Sequence, residues 1–273
     1  MGKANKVNMN YLTDNFSQIM DFAKDYGLPS TKKRGIIREY LQSKVIESIY
    51  RHKVSKELIF IGGTSLRLIR GLDRFSEDLD FDLLDISFSE IEKIIEKILA
   101  DFKKERLEVF LYKNKTGKKT YLEMRFKNVL QALGLSNNQE EKLMIKFDFE
   151  KFWKKEDREI IFLNRYGFVT NVVTLNINQI LVQKIYAYLN RRQTLARDIY
   201  DIVWLKSRGA KVDYRFVKDN HLPEDLISAA LKKYEREKEI LTGLKRKLKP
   251  FLFKEKNVDK IKYFKEVLQF DNQ

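Results

Sequence analysis

The stretch that most constrains this chain is Ser76-Glu-Asp-Leu-Asp-Phe-Asp-Leu83, where Asp78, Asp80 and Asp82 alternate strictly with Leu79, Phe81 and Leu83. Period-two alternation marks a half-buried strand, so the three acids leave one face and the three apolar residues the other. Carboxylates held so close repel one another, and like charge disfavours their ionisation. A bound cation removes that conflict. Just upstream, Ile59-Phe-Ile-Gly-Gly-Thr-Ser-Leu66 reads as the end of a buried strand, a Gly-Gly turn and the start of a short helix closed by Gly71.

Composition narrows the available chemistry. The chain has no cysteine, which excludes disulfides, thiol nucleophiles and thiolate zinc sites. Its only histidines are His52 and His221, and His52, in a basic junction, reads as a surface residue. Catalysis therefore falls to carboxylates, basic side chains and oxygen-seeking metals. The net charge of +15 favours a polyanionic partner such as nucleic acid, against the competing reading of an ordinary lysine-rich surface. The start MGKANKVNMNYLTD has no apolar core suited to a signal peptide, and no segment reaches the ~18 apolar residues of a membrane span. These features lead us to expect a cytoplasmic protein with no membrane partner.

Periodicity divides the chain into three parts. Helical patterns at about 10–25 and 32–50 fill an N-terminal segment, 1–55. Segment 56–175 alternates: the strand and helix around Gly62-Gly63, the acidic strand, an amphipathic helix over 88–105 capped by Ser87 or Ser89, then strands at 107–113, 120–129 and 142–151. From 176 to 273 the pattern is helical again, and 231–267 carries 13 Lys or Arg against 6 acids. The class expected is α/β (α+β), a mixed sheet flanked by helices and followed by a C-terminal helical domain.

Asp78 and Asp80 can jointly hold Mg²⁺, which takes oxygen ligands and binds through few carboxylates plus substrate phosphates. Asp148 is the best third acid, because Lys146, Asp148 and Glu150 share one face of a strand and Ile145, Phe147 and Phe149 the other. A helix-loop-helix calcium site is excluded by Leu83, which stands where that loop needs glycine. An ordinary acidic strand face is the simplest alternative for the triplet taken alone. Gly62, Gly63, Thr64 and Ser65 offer backbone N–H groups and hydroxyls that can cradle phosphates. The glycine pattern of a dinucleotide fold and the Gly-Lys-Ser/Thr of a P-loop are both missing.

Gly-Gly, a short helix and then an Asp-x-Asp strand resemble the signature of the nucleotidyltransferase superfamily to which polymerase beta belongs. More narrowly, Gly62, Gly63, Thr64 and Leu66, the run from Arg74 to Phe81, Lys184-x-x-Ala187, Arg191 and Arg197-Asp198-x-x-Asp201 resemble the AbiEii/AbiGii toxin family. The resemblance spans about 62–201 and implies a polymerase-beta-like catalytic domain at 56–175. It implies catalytic and metal-binding roles for Asp78, Asp80 and Asp148, with Mg²⁺ or Mn²⁺ as the metal. It also implies phosphate contacts from Lys184, with Arg191, Arg197 and Asp198 in the nucleotide site. The chain departs from the family in having more residues between Arg191 and Arg197. Members act as toxins of two-gene toxin–antitoxin and phage-defence systems, and some add nucleotides to the tRNA 3′ end. The resemblance thus implies transfer of NMP from an NTP to RNA, with a cognate antitoxin as a further partner. Modification of a small molecule or protein, and nucleic-acid binding without catalysis, are the alternative functions.

The helical spacing of Lys184, Ala187 and Arg191 lets a lysine and an arginine share one helix face. Arg197 and Asp201, four apart, can simply form a surface ion pair, the plain alternative to a motif role, while Tyr200, Trp204 and Leu205 read as helical core.

Overall fold

The computed structural model describes residues 11–116 and 119–269. The segment MGKANKVNMN, with residue 10 of the first expected helix, lies outside them. The elements run α1 (Tyr11–Asp14), α2 (Phe16–Asp25), α3 (Lys33–Tyr50), β1 (Leu58–Ile61), α4 (Gly62–Arg70), β2 (Asp78–Leu83) and α5 (Phe88–Lys104). Then come β3 (Val109–Thr116), β4 (Lys119–Phe126), α6 (Val129–Ala132), β5 (Leu143–Glu150), β6 (Arg158–Arg165) and β7 (Phe168–Leu175). The chain continues as α7 (Ile177–Asn190), α8 (Ala196–Ser207), α9 (Tyr214–Asp219), α10 (Leu226–Arg236), α11 (Leu241–Leu248) and α12 (Phe264–Gln269). A 3₁₀ segment, Glu255–Tyr263, precedes α12. The architecture is the expected mixed α/β one, with a C-terminal helical region.

Two compact units form, and both are discontinuous in sequence. The first takes the chain up to Leu58, Glu77–Glu150 and Phe162–Val172; the second takes Ile59–Ser76, Lys151–Ile161 and everything from Val173 onward.

In the first unit β2, β5, β4 and β3 stand side by side in that order. β2 and β5 run parallel, and the remaining pairs are antiparallel. Alternation sends Leu79, Phe81, Leu122, Met124, Phe126, Leu143, Ile145 and Phe147 to one face, where all are buried. α5 covers that face with Ile91, Ile94, Ile95, Ile98 and Phe102, the last packing edge-on against Phe126 at 5.3 Å. The helix starts where its sequence says it should: the Ser87 side chain accepts from the Glu90 N–H, and the Glu90 carboxylate accepts from the Ser87 N–H.

In the second unit α8 is the central helix, with Ile199, Tyr200, Ile202 and Leu205 inaccessible to solvent. It packs against α7, α11 and α12, and Tyr200, Trp204 and Leu205 are core residues as expected. Among the described residues no helix is long and apolar enough to cross a membrane.

β6 and β7 pair with each other. The turn between them is Tyr166-Gly167, both at positive φ (53° and 80°), the conformation that a two-residue hairpin turn needs to match strand twist.

Candidate active site

The outward face of the first unit's sheet carries the acids. Parallel register sets Asp78 beside Lys146, Asp80 beside Asp148 and Asp82 beside Glu150, so the residues of each pair project to the same side of the sheet. The expected third carboxylate is therefore the lateral neighbour of Asp80. Asp78, Asp80 and Asp148 are half-buried. Asp82 shares their face but is only 1% exposed, so the strand is not the uniformly solvated acidic surface of the simplest reading. Like charges opposite one another on neighbouring strands destabilise a sheet, and this register places two such pairs in succession. Among the described residues no group of three or more His, Cys, Asp or Glu is placed to hold a metal ion. What the face offers a metal is all-oxygen chemistry from two adjacent strands, which suits an ion that completes its coordination with substrate phosphates and water.

The other predicted residues belong to the second unit. α4 begins at Gly62 itself, two residues earlier than the sequence pattern suggests, so Gly62 to Ser65 form its first turn. The two glycines are needed for different reasons. Gly62 has φ = 76°, which favours glycine. At Gly63 an added Cβ would lie 2.7 Å from Ser76 Oγ and 2.8 Å from Arg74 Nη2. The N–H groups of a first helical turn lack intrahelical partners and favour anions. The hydroxyl of Ser65 has another engagement: Ser65 Oγ lies 3.1 Å from Thr174 Oγ1, which donates to the Phe60 carbonyl. Thr64 and Ser65 are both buried.

Arg74, packed against Gly63, is held by Asp201, whose carboxylate accepts from Arg74 Nε at 2.8 Å and Nη2 at 2.7 Å. Lys184 Nζ reaches the same carboxylate at 2.8 Å. Asp201 is fully buried and Lys184 is 12% exposed, so the plain surface pair of Arg197 with Asp201 does not form. α8 turns Asp201 into the core, and its partners come from α7 and from the segment after α4. Burial alone would raise the Asp201 pKa, but Arg74 and Lys184 outweigh it and hold the carboxyl below its ordinary range. The same pairing pushes Arg74 up against the opposing effect of burial. Arg191, at the end of α7, places Nε 2.5 Å from Asp198 Oδ2 on α8. The angle makes no hydrogen bond for that oxygen, so the contact is electrostatic. Lys184 and Arg191 thus both face α8, and Arg197 is half-buried.

The sequence pattern of the family described as "Nucleotidyl transferase AbiEii toxin, Type IV TA system" matches residues 45–270, most of the chain. This protein belongs to the AbiEii nucleotidyltransferase toxin family. Two solved structures resemble this AbiEii protein in fold. JHP933 from Helicobacter pylori has a TM-score of 0.52 and 18% identity, over 86% of this chain and 92% of that one. A putative nucleotidyltransferase from H. pylori has a TM-score of 0.50 and 20% identity, over 84% and 94%. No curated protein matches the chain. The network that sequence reasoning missed is the one through Arg74 and Asp73. Asp73 accepts from Tyr200 at 2.8 Å and from Asn257 and Lys260 at 2.9 Å. Arg74 had stood in the motif without a role, and its only advance signal was that position.

Proposed function

We propose that this AbiEii protein transfers NMP from an NTP to an RNA acceptor, the tRNA 3′ end, with release of pyrophosphate. Asp78, Asp80 and Asp148 are the reactive carboxylates, and the observation that carries the reading is the lateral pairing of Asp80 with Asp148, two residues from Asp78. These oxygens would hold Mg²⁺, or Mn²⁺ in its place, which when bound supplies charge neutralisation on the phosphate oxygens. The acceptor hydroxyl oxygen bonds to the α-phosphorus, the bond to the β-phosphate oxygen breaks, and Asp148 takes the hydroxyl proton. The α4 first turn binds the β and γ phosphates: Gly62, Gly63, Thr64 and Ser65 contribute chiefly through backbone N–H groups, since the Ser65 hydroxyl is occupied. Lys184 has N–H donors left over from Asp201 and adds charge there with Arg191, while Arg197 and Asp198 complete the nucleotide site.

The acceptor follows from charge. A net +15 and the basic stretch 231–267 favour a phosphate backbone, with salt-dependent affinity. A cognate antitoxin, a phage-defence role and a cytoplasmic setting belong to the same reading. So does the functional division into 1–55, 56–175 and 176–273. The test is incubation of wild type and Asp80→Asn with each α-labelled NTP and total RNA in Mg²⁺, followed by sizing of labelled RNA. Wild type should label RNA of tRNA size and the folded D80N protein should not; equal labelling by both removes the carboxylates from the mechanism.

A further inference from the structure

The sheet face that carries the acids changes character away from β2. Register continues Asp78–Lys146 through Glu123 to Tyr112, and the next row sets Met144, Arg125 and Phe110 side by side. Phe110 is 50% and Tyr112 44% exposed, in the strand furthest from β2. Each ring has a cation over it: Arg125 Cζ lies 3.9 Å from the Tyr112 centroid and Lys127 Nζ 5.2 Å from that of Phe110. Arg125 is fixed in that pose, since its Nε and Nη2 both donate to Glu123 Oε2 at 2.9 and 2.7 Å. One carboxylate thus neutralises much of its charge and leaves a flat guanidinium stacked on a flat ring.

From this arrangement we infer that Phe110, Tyr112 and Arg125 form a stacking platform for single-stranded RNA bases, the unpaired end of the acceptor, with Lys127 beside it for a phosphate. Aromatic rings and guanidinium planes accept any base by its π-face. Half-exposed rings, one under a charge-paired guanidinium and one beside Lys127, fit an aromatic ligand that also carries a phosphate. The inference rests on the proposed RNA acceptor and deepens it. Three strand spacings separate Tyr112 from Asp78, about 14 Å, or roughly four stacked bases at ~3.4 Å each. The platform would therefore hold bases a few positions before the reacting end.

The experiment is fluorescence anisotropy of a labelled eight-nucleotide single-stranded RNA of mixed sequence, with the full-length protein in EDTA over a salt series. Leaving out divalent metal and NTP isolates the platform from the carboxylates. Tyr112→Ala and Phe110→Ala should each weaken binding roughly 5- to 100-fold without changing the salt slope, because stacking releases no counterions. Tyr112→Phe should stay near wild type. Lys127→Gln should flatten the slope by about 0.7. Both rings are about half exposed, so either alanine variant should lower the melting temperature by only a few degrees. Wild-type affinity in both alanine variants overturns the inference. So does equal competition by a blunt duplex of the same length, which would point to backbone charge alone. Transfer assays separate the two readings. If RNA is never labelled while Tyr112→Ala still loses the oligonucleotide, the platform stands and the transfer reading falls. If tRNA is labelled with an unchanged acceptor KM in both alanine variants, the reverse holds.

Discussion

Asp201→Asn isolates the buried ion cluster of the second unit. The substitution keeps size and shape but removes the charge that faces Arg74, which is 2% exposed, and Lys184. Each cation has a donor atom within 2.8 Å of the carboxylate. With charge centres near 4 Å and an effective dielectric of about 20, each pair contributes a gross ~4 kcal/mol. Relief of the carboxylate's own desolvation offsets part of that, and breaking one partner of a buried pair costs about 3–5 kcal/mol net. The chain's two tryptophans, Trp153 and Trp204, both lie in the second unit, so tryptophan fluorescence during urea unfolding reads this unit selectively. D201N should unfold at markedly lower urea, and the double variant Arg74→Met/Asp201→Leu should lose less than the two single changes summed. Acid supplies a second reading of the same cluster. Because the folded Asp201 pKa is depressed, its contribution is complete above the unfolded value of about 3.9 and is lost as pH falls below it. Wild-type urea midpoints should therefore drop steeply from about pH 4 downward, and those of D201N less so. A D201N protein within about 1 kcal/mol of wild type at pH 7 would refute the argument, since it would mean Arg74 has another counter-charge or access to water.

Two further substitutions test the local geometry. Gly63→Ala must move both Ser76 Oγ and Arg74 Nη2, and Arg74 is pinned by Asp201, so overpacking should cost about 1–3 kcal/mol by thermal unfolding; Gly71→Ala, with open space but φ = 78°, should lose only about 1–2. Ser87→Ala removes the α5 capping box and should cost about 1 kcal/mol in urea unfolding followed by circular dichroism, with Ser87→Asp close to wild type.

Much of the fold was legible because local signals and burial agree. α5 carries its own cap and an apolar stripe, and β2 and β5 alternate cleanly, so their faces followed from counting. The Tyr166-Gly167 hairpin turn was harder to see, because a tyrosine at positive φ is uncommon. Its reason is tertiary: the Tyr166 N–H donates to Tyr26 Oη, and its own hydroxyl donates to Glu39. The Asp201 cluster was hidden for a related reason. The four-residue helical rule paired Asp201 with Arg197, but that rule describes a solvated helix face, and α8 is buried almost continuously from Asp198 to Leu205. Its true partners stand 127 and 17 residues away, beyond any local pattern.

Two sets of described acids differ in what the fold places beside them. Asp73, Asp198 and Asp201 each face a cation supplied by the fold: Lys260, Arg191, and Arg74 with Lys184. Removing such an acid strips a counter-charge and costs stability. Asp80 and Asp148 are also set side by side by the register itself, and like charges opposite one another cost a sheet stability. Neutralising one of them should relieve repulsion. The repulsion removed is about the 0.2–1 kcal/mol of a cross-strand pair, so D80N and D148N are expected to melt close to wild type while failing to transfer nucleotide, with melting temperatures read beside RNA labelling. That opposition, stability unchanged or raised with activity lost, distinguishes a reactive carboxylate pair from a structural one; a D148N protein that melts several degrees lower would place Asp148 with Asp201 instead.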